Sequence, residues 1–184
     1  MSFKVLELQL DGGVSPDARW FVGLDPVVAA KVATAKYRMQ QGNLSSVEWF
    51  RGIGEYKINY GAGWRIYLSK IRKRGNDMAL TKDFKETVLA RVEQDPDFAR
   101  AMFDEAILLF LNGEAATAKL ILRDLVNATV GFEGLAVSVE KPTKSVHRML
   151  SLQGNPTMSN LTAIFAALKS ALKVEIQAHS VSVA

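Results

Sequence analysis

Two short amphipathic runs separated by a Glu-Lys-Pro break constrain this chain more than any other feature. They lie in Gly131–Thr157, GFEGLAVSVEKPTKSVHRMLSLQGNPT. Leu135, Ala136 and Val139 give the first run an apolar face. Glu140, Lys141 and Pro142 stop it. Thr143 is placed to cap a second helix whose apolar positions, Val146 and Leu150, are four apart. Lys144, Ser145, His147 and Arg148 are left on the outer face. The spacing predicts a helix–turn–helix over 131–151, in which the second helix enters the major groove of DNA and offers donors to base edges. A plain helical hairpin would carry the same apolar spacing.

Charge is consistent with a phosphate partner. The net charge of +4 is unevenly spread along the 184 residues. Residues 1–77 hold 12 Lys/Arg against 7 Asp/Glu, a balance of +5. Residues 78–114 hold 4 against 8, and residues 115–184 hold 7 against 4. An acidic middle therefore separates two basic ends, the second of which carries the helix–turn–helix. A hydrophobic content of 48% can build a core. There is no cysteine and there are two histidines, His147 and His179, so neither a thiolate nor an imidazole-rich metal centre is expected, and no cofactor. No run has the length of a membrane span and the start lacks a signal-peptide pattern, so the expected location is the cytoplasm.

The pattern predicts an α+β domain over 1–71, a linker over 72–80 and an all-α domain over 81–184. Phe3–Leu10 reads as a strand with Leu6, Leu8 and Leu10 on one face. Pro16 starts a short helix, and Asp25-Pro26 caps and starts a longer one that ends near Gly42. Strands follow at Val47–Phe50, Glu55–Tyr60 and Trp64–Leu68, the last two joined by Gly61-Ala62-Gly63. Tyr56, Ile58 and Tyr60 are expected on one face, and Trp20, Trp49 and Trp64 in the core. Beyond the linker, Thr81 and Asp95-Pro96 are expected to cap helices, and Ala115–Asn127 to form a third. Thr157 is expected to cap Met158–Leu172, and Lys173–Val183 to be a final strand or tail.

These residues carry a resemblance to a known family. MALTKDFKETV, FLNGEAATAKLILRDLVNATVGFEGLA and KPTKSVHRMLSLQGNPTMSNL, from Met78 onward, closely resemble the addiction-module antidote proteins. These are type II antitoxins with a lambda-repressor-like helix–turn–helix. LDPVVAAKVATAKYRMQQGNLS and GIGEYKINYGAGWRIYL in the first half resemble the RelE/HigB-like killer proteins, the toxins of the same systems. The chain looks like a fusion of toxin and antitoxin in that order. The toxin-like half is short: the family continues past the strand matching Trp64–Leu68 with another strand and a basic tail. The family also has Arg where this chain has Lys57, Tyr where it has Trp64, and Gly where it has Glu140. A glycine suits a turn with positive φ and a glutamate does not.

The DNA-contacting residues expected are Thr143, Lys144, Ser145, His147, Arg148, Gln153, Asn155 and Thr157. Arg148 can fork onto guanine O6 and N7, whereas Lys144 suits a phosphate. Lys57 and Arg65 are the remnant catalytic candidates of the toxin-like half, with Glu55 and Tyr56 beside them; no catalytic or metal residue is assigned outright. The resemblance implies a transcriptional regulator that binds a palindromic operator in double-stranded DNA as a homodimer, paired through the last helix with Lys173–Val183, with a cognate toxin as a further partner and no membrane. The enzyme alternative is a fusion with residual mRNA endonuclease activity controlled in cis. Thr81–Val92 is expected to cover the sheet edge that the missing toxin strand leaves bare.

Overall fold

The computed structural model describes residues 3–71, 81–178 and 182; the expected linker at 72–80 lies outside them. The chain is α+β, with eight helices and two small antiparallel sheets among the described residues. The order is β1 (Leu6–Leu8), α1 (Pro16–Val22), α2 (Pro26–Gln40), β2 (Val47–Phe50), β3 (Ile53–Ile58), β4 (Trp64–Ser69) and β5 (Thr81–Asp83). Helices α3 (Phe84–Gln94), α4 (Pro96–Leu111), α5 (Ala115–Ala128), α6 (Gly131–Ser138), α7 (Thr143–Met149) and α8 (Met158–Leu172) follow. None of the helices described is long and apolar enough to cross a membrane.

Local chemistry sets several helix starts. The Asp25 carboxylate accepts from the amides of Val27 and Val28, with Pro26 at the first helical position of α2. Asp95 and Pro96 do the same for α4. The Thr157 hydroxyl accepts from the Asn160 amide and starts α8. Thr81 is not a cap. It lies in β5, and Asp83 caps α3 through the Lys85 amide. The reason is long-range: Thr81, Lys82 and Asp83 pair with Leu8, Glu7 and Leu6 of β1. That pairing also places Thr81–Asp83 on β1 rather than on the edge of the larger sheet, which runs β2–β3–β4.

Strand β1 is shorter than its alternation suggests and turns the other way. Glu7 is buried, whereas Leu8 is 53% and Leu10 51% exposed. Glu7 accepts from the Lys36 ammonium at 3.1 Å and from the Thr87 hydroxyl at 2.7 Å. Lys36 also pairs with Asp17. This buried polar cluster joins β1, α1, α2 and α3. Burial raises the Glu7 carboxyl above its ordinary value, and the Lys36 charge only partly opposes that.

Helix α2 is buried along most of its length, from Val28 to Met39. It packs against α4 and α5, and one continuous hydrophobic core includes residues from before and after 72–80. The charge asymmetry of the sequence is resolved here. Lys31 of α2 meets Glu105 of α4 at 2.5 Å, and Arg38 forks onto Glu114 at 2.7 and 2.6 Å. The Arg38 bond holds the Glu114 carboxyl below its ordinary value. Buried Tyr37 donates to Asp124 of α5 at 2.6 Å. Arg91 of α3 lies over the rings of Phe21 and Phe98 and donates to the carbonyls of Phe21 and Leu24, holding the α1–α2 corner.

In the larger sheet Tyr56, Ile58 and Ile66 face the core. Tyr60 lies beyond β3 and is exposed, since the strand ends at Ile58. Trp20 and Trp64 are half-buried and touch, with ring centroids 6.2 Å apart. Trp49 is exposed rather than core, and Lys70 sits over its ring. Residues 173–178 form no strand; of the expected tail segment, 179–181 and 183 lie outside the described residues.

Candidate nucleic-acid interface

Helices α6 and α7 pack as a hairpin. Phe132, Leu135 and Ala136 of α6 and Val146 and Leu150 at α7 are buried. The turn between them is closed by the Glu140 amide on the Val137 carbonyl (3.2 Å) and the Lys141 amide on the Ala136 carbonyl (3.0 Å). This is the Schellman pattern, in which the residue after the helix takes a left-handed conformation. Glu140 has φ of 52° there, the position where the resemblance implies a glycine. An L-residue in that region carries a steric cost. Glu140→Gly is therefore expected to stabilise the fold by about 1 kcal/mol. A denaturation midpoint equal to or below that of the wild type would contradict this.

The second helix begins one residue earlier than a threonine cap requires. Pro142 occupies the cap position without any side-chain bond, and Thr143 is the first helical residue. The preceding turn fixes the chain direction, so a side-chain cap is not needed to start α7. Lys144 and Arg148 are exposed on one face, four residues apart; Thr143 and Ser145 are half-buried beside them. His147 does not simply face solvent. Its ring stacks on Phe132 with centroids 3.8 Å apart and planes within 14°. Arg123 of α5 lies over the same Phe132 ring at 5.3 Å and donates to the His147 carbonyl at 3.5 Å. Arg123 and Phe132 thus fix the backbone of α7 from behind.

Gln153, Asn155 and Thr157 lie exposed on the loop from α7 to α8. Lys119 of α5 holds that loop. Its ammonium donates to the Leu152 carbonyl at 3.0 Å and to the Gly154 carbonyl. Burial pulls the Lys119 ammonium below the ordinary lysine value. Gly154 lies so close to the carbonyls of Arg148 and Met149 that a Cβ there would collide with backbone. Lys119, Arg123, Phe132 and Gly154 were not among the residues expected from the sequence. The signal for Lys119 was a cation on the largely apolar face of α5 shared by Leu122 and Val126.

The site therefore gathers Lys144 and Arg148 on α7, with Gln153 and Asn155 on a loop clamped to its end. The remaining candidates lie apart, on the outer face of the larger sheet. Lys57 and Arg65 are directly opposite on β3 and β4. The Lys57 ammonium donates to both Glu48 oxygens at 3.1 Å, which raises it above the ordinary lysine value. Arg65 meets Glu55 at 3.3 Å. Tyr56 points to the other face and is buried. Among the described residues no group of three or more histidines, cysteines and carboxylates is placed to share a metal ion. No family model, curated protein or solved structure matches the chain.

Proposed function

We propose that this chain is a sequence-specific DNA-binding regulator of transcription, of the type II antitoxin class, carrying an inactive toxin-like first half. The carrying observation is the α6–turn–α7 hairpin. Val146 and Leu150 are buried while Lys144 and Arg148 project from the opposite face. A short helix seated on a second helix, with cations outward, is the arrangement that reads a major groove. The loop at Gln153 and Asn155 supplies further polar groups for phosphate or base edges. One such helix spans few base pairs, so the operator is proposed to be a palindrome bound by a homodimer in the cytoplasm, with a toxin as a further partner.

Binding of the full chain to the DNA directly upstream of its own gene tests this. Arg148→Ala is expected to cost about 1–3 kcal/mol for the operator. Lys144→Ala is expected to weaken all duplexes alike and flatten the salt slope by about one. Wild-type binding by both variants would overturn the assignment of α7.

The inactivity of the first half is supported by its charges. Phosphodiester cleavage needs free cations where negative charge develops. Lys57 is engaged by Glu48 and Arg65 by Glu55. Expression of the full chain in bacteria is expected to leave mRNA intact. Cleavage that Arg65→Ala abolishes would favour the endonuclease alternative.

A further inference from the structure

The larger sheet has one edge built for pairing. Strand β2, at one end, is four residues long and runs into a turn where Arg51 and Gly52 both have positive φ. Strand β4, at the other end, is WRIYLS. It has no proline or glycine and a single charge, Arg65, already matched by Glu55. Among the described residues no strand pairs with its outer edge. Natural proteins protect such edges with charges, prolines, bulges or a cover. Tyr67 of β4 is 66% exposed, and its neighbour Leu68 is only half-buried.

We infer that β4 is the contact between two copies of this chain, paired antiparallel across a two-fold axis at Tyr67. The pleat restricts the register, and the centre is placed among the exposed, outward-facing residues Arg65, Tyr67 and Ser69 rather than on the inner face. Residues directly opposite in an antiparallel pair point to the same face, so a two-fold pair must centre on a single residue. Centring on Arg65 sets two like charges opposite each other, which opposes pairing. Centring on Tyr67 sets Arg65 opposite Ser69 of the second copy and Ile66 opposite Leu68. The lone charge then meets a hydroxyl, the half-buried Leu68 meets the edge of buried Ile66 on the inner face, and the exposed tyrosines cover each other. The two three-stranded sheets become one. Helix α8, the expected dimer contact, has its Ile164 and Leu168 buried and its Phe165 against Phe103 and Phe110 of the same chain. The strand edge is the better contact.

This inference supplies the pairing that the DNA reading calls for, yet it is tested without DNA. The chain has no cysteine, so a single introduced thiol reports unambiguously. Sedimentation of the full wild-type chain at micromolar concentration is expected to give a dimer, and Tyr67→Lys, with unchanged circular dichroism, a monomer. Tyr67→Cys is expected to form a disulfide-linked dimer on mild oxidation. Ser69→Cys is expected not to, because its two thiols would lie about 13 Å apart along the strands. If Tyr67→Lys fails to fold, the two cysteine variants decide. A monomeric wild type, a dimer untouched by Tyr67→Lys, or cross-linking at Ser69 equal to that at Tyr67 would overturn the inference. Those failures leave the α7 assignment standing, since that rests on the Arg148 and Lys144 titrations.

Discussion

Lys36→Met is expected to destabilise the chain by about 3–5 kcal/mol, because it strips the cation from a buried carboxylate. Lys36 and Glu7 are both almost wholly buried, and Thr87 already donates to the other Glu7 oxygen. Without Lys36, Glu7 keeps one hydroxyl donor and no counter-charge. The double variant Lys36→Met with Glu7→Leu is expected to recover most of the loss, since a buried ion pair replaced by apolar groups is often close to neutral. The pH dependence has a definite sign. Burial already raises Glu7, and loss of Lys36 raises it further. A carboxyl raised in the folded state binds its proton more tightly there, so folding gains as pH falls through that value. The defect of Lys36→Met is therefore expected to shrink on acidification. Chemical denaturation at two pH values measures both effects. A loss under about 0.5 kcal/mol, the range of ordinary surface changes, would contradict the role given to this cluster.

Gly154→Ala is expected to cost at the upper end of about 1–3 kcal/mol, the usual range for overpacking. Its new methyl would meet the carbonyls of Arg148 and Met149, which are backbone and cannot swing aside. The strain falls at the end of α7, where Lys119 ties the loop down. Operator affinity is expected to fall with stability, because Arg148 moves with its own carbonyl. Lys119→Met should disturb the same loop from the other side. Unchanged melting and unchanged DNA binding in Gly154→Ala would show that the loop has more room than the backbone contacts imply.

The features legible in the sequence are those whose partners lie within a turn. Asp25-Pro26, Asp95-Pro96 and Thr157 were readable as helix starts because each cap bonds amides two or three residues away. The break between the two apolar runs was readable as a turn, and the positive φ at Glu140 only through the glycine that the resemblance puts there. Glu7 was not, because alternation alone put three leucines inward. What turns the strand over is Lys36 and Thr87, 29 and 80 residues further on. Thr81 reads as a cap until β1 is known to pair with it. At the candidate site, Lys144 and Arg148 were visible from helical spacing. Lys119, which positions the loop beside them, reaches carbonyls 33 and 35 residues away. The charges of Lys57 and Arg65 were equally plain, but their neutralisation by Glu48 and Glu55 depends on strand register.

The proposed reading of DNA by α7 has a direct test. The most direct measurement is the affinity of the full chain for the duplex upstream of its gene and for a shuffled duplex of the same composition, each at two salt concentrations. At least about a thousandfold preference for the upstream sequence is expected, with affinity falling steeply for both duplexes as salt rises. Equal affinity for the two duplexes, or no binding to either at low salt, would contradict it.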